Sequence, residues 1–171
     1  AVKWLTKGAE QEDNNSIVLL GYCYLYGKGI RKSAKHAVEL FKKAADKGNA
    51  EAQYNLGTCY ENEKGIKKNQ ANKYHAFNWY TKAAEQGYKE SQHALGICYE
   101  KGIGTVQNWK SAVEWYTKSA EQGYASSQCG LGIRYYYGEG VAQSYENAFK
   151  WFKKSADQNQ IQAQYWVGLC Y

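Results

Sequence analysis

Apolar residues are spaced three and four apart along almost the whole chain. In the segment 50–60, Ala52, Leu56, Cys59 and Tyr60 fall on one face of a helix. A second amphipathic stretch follows each segment of this kind. We call the first type the A helix and the second the B helix. Their alternation predicts an all-α chain made of helix-turn-helix units.

The pattern is periodic along the chain. B-helix signatures start at 2, 38, 77, 113 and 149, in steps of 36, 39, 36 and 36 residues. An apolar residue followed by Gly marks the A helices in the same register, at Leu20-Gly21, Leu56-Gly57, Leu95-Gly96, Leu131-Gly132 and Val167-Gly168. A fixed period of this size predicts an α-solenoid. The one long step places three extra residues in the loop 67–74.

This register predicts one domain over residues 1–171. Its parts are a B helix at 1–11, repeats at 14–48, 50–87, 89–123 and 125–158, and a final A helix at 160–171. The chain starts in mid-pattern without Met, which suggests a piece of a longer protein.

Glycine stands at two kinds of position in the repeat. Gly57 and its equivalents lie inside the A helices, where Gly costs about 1 kcal/mol. Their repetition predicts a close approach between helices. The B helices are predicted to end in left-handed caps at Gly48, Gly87, Gly123 and Asn159.

The combined pattern reads Ala-Gln-x-x-Leu-Gly-x-x-Tyr, then Gly-x-Gly-Ile/Val, then Ala-x-x-Trp-Tyr-x-Lys-Ala-Ala-Glu-Gln-Gly, and fits best over 77–124. It resembles the Sel-1-like repeat family, a relative of the tetratricopeptide repeat. The resemblance implies a right-handed superhelix of about five repeats that serves as an adaptor, although hydrolytic activity is claimed for a few relatives. The chain departs from the family pattern at Leu40, at Arg134 in the usual Cys position, and in the insertion.

Charge and composition exclude several classes of function. The net charge is +6, but the lysines are spread along the chain as on a solvated helix face, which argues against nucleic-acid binding. No apolar run is long enough to cross a membrane. His36, His75 and His93 lack metal-ligand spacing. With no catalytic constellation in view, we expect a non-enzyme without cofactor or metal.

Four cysteines, Cys23, Cys59, Cys98 and Cys170, lie two residues after the repeat Gly, where a packed thiol is expected. Cys129 stands elsewhere in the repeat and is the one candidate for an exposed thiol. Cys129 is 36 residues from His93, so the two are repeat-equivalent and form the one pair that could carry out chemistry. We expect them to be two inert groove residues. Reduced thiols favour a cytoplasmic protein, or a lumenal or secreted one if the parent chain carries a signal.

In tetratricopeptide-like solenoids the A helices line a concave face. Applied to this register, that geometry predicts partner contacts three residues before the Gly and one, four and five after it. The main candidates are Tyr22, Tyr26, Tyr54, Glu61, His93, Glu100, Tyr136 and Tyr137. The same rule adds Val18, Leu25, Thr58, Asn62, Ile97, Lys101, Cys129 and Ile133. The many Tyr side chains favour a protein or peptide partner.

The two ends of the chain present a rival surface. The last A helix has no following B helix to cover it, so its apolar face is an interaction site or a place where the parent protein continues. Candidate residues for a homo-oligomer interface are Trp4, Tyr165, Trp166, Leu169 and Tyr171. End-to-end stacking or a domain swap would make the chain a self-assembling structural module.

Overall fold

A computed structural model describes residues 1–170, which form ten helices and no strand. The helices are α1 (Val2–Glu10), α2 (Asn14–Tyr26), α3 (Ala34–Asp46), α4 (Ala50–Glu61), α5 (Asn72–Glu85), α6 (Lys89–Lys101), α7 (Trp109–Glu121), α8 (Ala125–Tyr137), α9 (Tyr145–Ala156) and α10 (Ile161–Leu169). The even-numbered helices are the A helices and the odd-numbered ones the B helices. The all-α prediction is confirmed.

The chain divides into two compact units, residues 1–86 and the part from Gly87 onward. In the first unit α1, α2, α3 and α4 each pack against the helix that follows. In the second unit α6, α7, α8 and α9 do the same. Each unit is therefore a stack of A and B helices in chain order.

Short polar side chains start many of the helices. Ser33, Asn108 and Ser144 accept hydrogen bonds from the backbone in the first turn of α3, α7 and α9. The insertion lengthens the loop before α5 to 62–71, and Ala71 at that start has no such side chain. The backbone N–H of Ala71 donates instead to Asn69 Oδ1 at 3.1 Å.

Left-handed residues end the B helices as predicted. The φ angle is +87° at Gly48, +87° at Gly87, +80° at Gly123 and +63° at Asn159. Glycine adopts this region without the steric cost that a Cβ imposes.

The glycines inside the A helices make room for aromatic rings of the following B helices. A Cβ at these glycines would lie 2.6 Å from Phe41 at Gly21, 2.7 Å from Tyr80 at Gly57, 2.6 Å from Tyr116 at Gly96 and 2.6 Å from Phe152 at Gly132. Real Cβ atoms essentially never come so close to a neighbour. The predicted close approach is confirmed, and the four rings are at most 2% exposed.

Buried glutamines connect α7 to α8 in the second unit and α3 to α4 in the first. Gln128 Nε2 donates to the Ala120 carbonyl at the end of α7, at 3.1 Å. Its Oε1 accepts from Gln158 Nε2 at 2.8 Å. The same arrangement joins Gln53 to Ala45 and Gln86 in the first unit. The buried amides are thereby satisfied, as buried polar groups need to be.

All five cysteines are free thiols. Cys59 and Cys98 are buried as predicted, and Cys23 is half-buried. Cys170 is exposed, so its predicted core position is wrong, because none of the described helices packs over that face of α10. The expectation for Cys129 is also wrong, since this thiol is 1% exposed.

Candidate functional site

In the second unit a cavity of about 380 Å³ lies along the A helices α6, α8 and α10. We call it the A-face cavity. Five predicted contact residues border it: His93, Ile97, Glu100, Lys101 and Ile133. Arg134, Gln160 and Gln162 complete much of its polar lining. Predicted contact residues of α6 and α8 thus line one concavity, which carries more charge than the Tyr-rich prediction implied.

A fixed charge pair forms one wall of the A-face cavity. The Tyr116 hydroxyl donates to Glu100 Oε2 at 2.6 Å. Arg134 Nη1 lies 3.6 Å from the same carboxylate and 3.0 Å from Glu139 Oε2. The Arg134 guanidinium also lies 4.9 Å from the Trp109 ring centre, a cation–π distance. Burial, and then the neighbouring Glu100, raise the pKa of Tyr116, so this phenol stays protonated.

Arg134 replaces the cysteine that the other repeats carry at this position. It is 8% exposed, and its Nε and Nη1 atoms have no hydrogen-bond partner among the described residues. The contact between Nη1 and Glu139 is therefore an ion pair at 3.0 Å without the angles of a hydrogen bond. The carboxylates of Glu100 and Glu139 compensate the charge of the buried guanidinium. The guanidinium in turn holds Glu100 at the cavity wall.

His93 is the start of a hydrogen-bonded chain. Its Nδ1 lies 2.9 Å from Ser127 Oγ. The Ser127 hydroxyl donates to Ser119 Oγ at 2.7 Å, and the Ser119 hydroxyl donates to the Lys89 carbonyl at 2.8 Å. Because both hydroxyl protons are in use, Nδ1 must be the donor to Ser127, which leaves Nε2 as an acceptor. Burial lowers the pKa of His93 to about 4, against a smaller opposing effect of Glu100.

The pairing of His93 with Cys129 named from the sequence is not the one that forms. The polar partner of His93 is Ser127, which is fully buried. Cys129 is buried under Phe152, in the same core cluster. Burial raises the pKa of the Cys129 thiol to about 11. Neither side chain presents a nucleophile to solvent.

On α2, α4, α6 and α8 the position three residues before the repeat Gly faces the B-helix ring rather than open space. Val18 is 2% exposed and Cys129 is 1% exposed, so their assignment to the partner-binding face is wrong. Tyr54 and His93 in this position are half-buried and lie 5.8 Å from Tyr80 and 5.6 Å from Tyr116, between ring centres. Burial at this position follows from the close helix contact that the repeat Gly permits.

The first unit has its own polar contacts along the A helices. Tyr80 donates to Glu61 Oε2 at 2.7 Å. The Tyr22 hydroxyl donates to Glu51 at 3.0 Å and accepts from Asn55 Nδ2 at 2.7 Å. Tyr26 stacks on Tyr22 and remains 59% exposed. Of the partner-face candidates in this unit, Tyr26, Glu61 and Asn62 are exposed.

Aromatic residues from α8, α9 and α10 form one continuous cluster. Tyr136 lies 5.1 Å from Tyr137, 5.2 Å from Tyr145 and 5.1 Å from Trp166, between ring centres. Trp166 also stacks on Phe152 at 5.3 Å. The sequence assigned Tyr136 and Tyr137 to the partner face and Trp166 to an end interface, but these residues belong to a single surface. Tyr137 is its most accessible predicted contact, at 56% exposure.

The other candidates for an end interface are open to solvent. Trp4 is 71% exposed, Tyr165 64% and Leu169 54%. Tyr171 lies outside the described residues.

Sequence reasoning missed a Trp–Lys pair that recurs on the B helices α5, α7 and α9. Lys82, Lys118 and Lys154 lie 4.2, 4.0 and 4.3 Å from the ring centres of Trp79, Trp115 and Trp151. The spacing Trp-x-x-Lys puts the two side chains on adjacent turns, and this signal was available.

Within residues 1–170, no group of three or more His, Cys, Asp or Glu side chains is arranged to hold a metal ion. None of the helices in that part of the chain combines the length and apolarity that crossing a membrane requires.

Helix pairs, rings seated on glycines and a cavity along the A helices define a tetratricopeptide-like α-solenoid. The Sel1 repeat family model matches residues 1–13, 15–49, 50–88, 89–124, 125–160 and 161–171. The chain therefore belongs to the Sel1 repeat family, whose members are protein-interaction modules and generally non-catalytic.

Solved structures agree with this assignment. A protective antigen present in uropathogenic Escherichia coli strains, with an SLR fold, superposes with a TM-score of 0.90 at 32% identity, over 95% of this chain and 34% of that one. A Sel1 repeat protein from Oxalobacter formigenes gives 0.88 at 35% identity, over 99% and 68%. Among curated proteins, HRD3A of Arabidopsis thaliana, a component of an ERAD-associated E3 ubiquitin-protein ligase, is 32% identical over 60 residues. That match spans 35% of this chain and 9% of HRD3A.

Proposed function

We propose that this chain is a non-enzymatic scaffold that binds a protein segment on the face formed by its A helices, in the second unit above all. The observation that carries the proposal is the contact surface made by the A-face cavity and the aromatic cluster of α8 and α10. Glu100 lies at the cavity and is held by the buried Tyr116, and Trp166 lies in the aromatic cluster and is held by the buried Phe152. Such a surface exists before the partner arrives, which limits the entropy lost on binding.

The chemistry of this surface favours a peptide that carries both polar and apolar side chains. A cavity of about 380 Å³ lies in the range that binds ligands, but it is small for a folded domain. Glu100 and Lys101 offer charges of both signs at its wall. Tyr137 adds an exposed ring, which supplies contact area at a low entropic cost. We expect an apolar anchor on the aromatic cluster and polar groups of the partner in the cavity.

Hydrolysis, the alternative suggested by a few relatives, lacks support in this geometry. The serine bonded to His93 is fully buried, and the thiol of Cys129 is buried with a pKa raised to about 11. A nucleophile has to reach its substrate and to lose its proton near neutral pH. The same arrangement suits a rigid wall behind a binding surface.

A peptide library displayed on phage tests the proposal. Clones selected on the whole chain are measured against Tyr137→Ala and against Tyr74→Ala, a matched control on α5 whose ring is 57% exposed, compared with 56% for Tyr137. We expect Tyr137→Ala to weaken the selected peptides about tenfold, since interface tyrosines are enriched among hot spots, and Tyr74→Ala to leave them unchanged. Tyr136 is unsuitable for this test because it packs against Trp166 and Tyr145.

Two results would contradict the proposal. One is a selection that yields no binders. The other is a set of binders that respond equally to the Tyr137 and Tyr74 variants, which would place binding away from this face.

A further inference from the structure

The loops that lead from an A helix to the next B helix differ sharply in charge between the two units. In the first unit, the loops 27–33 and 62–71 carry six basic residues and one acidic residue, Glu63. In the second unit, the equivalent loops 102–108 and 138–144 carry no basic residue and one acidic residue. We call the six basic residues of the first unit the basic edge: Lys28, Arg31, Lys32, Lys64, Lys67 and Lys68.

The fold of these loops does not require positive charge. In the loops 27–33, 102–108 and 138–144 the backbone N–H of the last residue donates to a Tyr carbonyl of the preceding A helix, at 2.9 Å each time. The two glycines that open each loop have φ between +66° and +75°. Where the first loop has Lys28, Arg31 and Lys32, the other two have Ile103, Val106 and Gln107, and Glu139, Ala142 and Gln143. The same backbone therefore forms with neutral or acidic side chains.

The two basic loops lie side by side. Gly65 packs so closely on the loop before it that a Cβ there would collide with the carbonyl of Ala34. A cavity of about 260 Å³ lies between the loops, bordered by Lys32 on one and Lys64 on the other. Leu25 and Tyr26 supply its apolar lining. Basic residues that are far apart in the sequence are thereby brought to one surface.

All six side chains of the basic edge are exposed, and none of them forms an ion pair with a carboxylate of residues 1–170. Other lysines of the chain do have such partners. Lys43 and Lys47 lie 3.9 and 2.8 Å from Glu12, and Lys150 lies 2.6 Å from Glu146. Like charges on adjacent loops repel one another, and an anionic partner would relieve this repulsion.

We propose that the basic edge docks an acidic segment of a partner protein. Carboxylates of the segment pair with Lys32 and Lys64, and an apolar side chain between them enters the cavity on Leu25 and Tyr26. The remaining cations of the edge contact further acidic residues on either side. This surface lies in the first unit, so the proposal stands independently of the peptide-binding face proposed for the second unit.

Two other kinds of polyanion fit the surface less well. A peripheral membrane contact buries apolar side chains in the lipid boundary, but Ile30 and Ile66 of these loops are half-buried, and Ile66 packs on the core. Single-stranded nucleic acid stacks its bases on aromatic rings. The exposed ring at this cavity, Tyr26, already stacks on Tyr22 at 6.2 Å and has Lys28 Nζ at 5.9 Å from its centre.

Variants that remove charge from each loop test the proposal. One triple variant replaces Lys28, Arg31 and Lys32 by Gln, the residue that both loops of the second unit have at the position of Lys32. The other replaces Lys64, Lys67 and Lys68 by Gln. The matched control replaces three exposed lysines on the B helices α3, α7 and α9 by Gln: Lys42, Lys110 and Lys153. Each triple lowers the net charge of +6 by three, and circular dichroism checks that each variant is folded.

Fluorescence anisotropy with a labelled peptide is the readout. The probe has one Leu flanked on both sides by Glu and Ser residues, and a second probe has Gln in place of every Glu. We expect the acidic probe to bind the wild type and the control triple equally. Each triple variant of the basic edge should bind it about tenfold more weakly, as the loss of three exposed ion pairs implies. Added salt should weaken binding to the wild type, because the pairs are exposed.

Several outcomes would overturn the proposal. Absence of binding, or equal binding of the Gln probe, shows that the edge does not recognise acidic side chains. An equal loss in the control triple assigns the attraction to the net charge of the chain. Tighter binding of a uridine oligonucleotide, or of vesicles made from equal parts of phosphatidylcholine and phosphatidylserine, assigns the edge to nucleic acid or to a membrane if the edge triples abolish it.

Discussion

The hydroxyl of Tyr116 donates a hydrogen bond of 2.6 Å to Glu100, which lies four residues after the glycine on which the Tyr116 ring sits. Tyr80 and Glu61 repeat this relationship at 2.7 Å. In the other two repeats the ring is Phe41 or Phe152, and the residue in the register of Glu100 is Leu25 or Tyr136. A carboxylate acceptor is therefore present where the ring has a hydroxyl and absent where it does not.

This matching predicts strong coupling between positions 100 and 116. Tyr116→Phe should lower the free energy of unfolding by about 1–2 kcal/mol, because it removes a hydrogen bond to a charged group. Glu100→Leu should cost at least as much, because the buried hydroxyl loses its acceptor and Arg134 loses one of its two carboxylates. The double variant, which imitates the Leu25 and Phe41 repeat, should recover at least about 1 kcal/mol relative to the sum of the two. Urea denaturation of the four proteins measures this, and additive effects would show that the hydrogen bond is incidental.

The repeat glycines Gly132 and Gly168 should respond in opposite ways to alanine. Gly132→Ala places a Cβ 2.6 Å from the Phe152 ring and should destabilise the chain by about 1–3 kcal/mol. Gly168→Ala meets no such contact among the described residues and should be neutral or stabilise α10 by up to about 1 kcal/mol through helix propensity. Chemical denaturation of the two variants compares them. Equal losses would mean that the glycines serve backbone flexibility rather than ring packing.

Gln128 should matter more to stability than Gln164, its equivalent one repeat later. Gln128 is 5% exposed and bonds to both Ala120 and Gln158, whereas Gln164 is exposed. We expect Gln128→Leu to cost about 1–3 kcal/mol, since buried polar groups lose their partners, and Gln164→Leu to change stability by less than about 0.5 kcal/mol. Thermal unfolding followed by circular dichroism distinguishes them. Comparable melting temperatures for the two variants would show that the buried amide contributes little.

The low pKa of His93 predicts a loss of stability in mild acid. Burial lowers the pKa of this ring to about 4 in the folded chain, from its ordinary value of 6.5. Between these values the unfolded chain binds a proton here that the folded chain does not, so the free energy of unfolding falls as the pH falls from about 6.5 towards 4.

Replacing the ring isolates this effect. The difference in free energy of unfolding between the wild type and His93→Gln should change by about 1–3 kcal/mol between pH 7 and pH 5. The contributions of the other titrating groups cancel in this comparison. An NMR titration of the ring carbons gives the pKa directly. A midpoint near 6.5 would refute the burial of the neutral ring.

Much of the fold follows from the sequence because the periodic residues do the packing. Gly57 and Tyr60 mark an A helix. Tyr80 follows Gly57 by 23 residues and Tyr116 follows Gly96 by 20, and the three-residue insertion accounts for the difference, so the helix pairs could be aligned. Local signals sufficed for the ends of helices as well, since Gly48 and Asn159 need no distant partner to adopt positive φ.

The contact residues were harder to predict because the repeat alone does not say which side of an A helix the next ring covers. Cys129 looked accessible on the register rule, yet Phe152 buries it. The link from His93 to Ser127 was missed because it joins two different positions of the repeat, 34 residues apart rather than 36. The sequence did show that Glu100 accompanies Tyr116, whereas Tyr136 takes the place of Glu100 in the repeat of Phe152. This difference would have revealed the hydroxyl–carboxylate pairs.

The claim that the A helices form the binding face is tested most directly by mapping amide chemical shifts across the whole chain on addition of a peptide selected from the library. Binding on this face predicts that the largest changes fall within 93–101, 130–137 and 160–166, with Trp115 and Trp151 on the B helices unaffected. Changes concentrated instead around Trp115 and Trp151 would contradict the account and assign binding to the Trp–Lys pairs of α7 and α9.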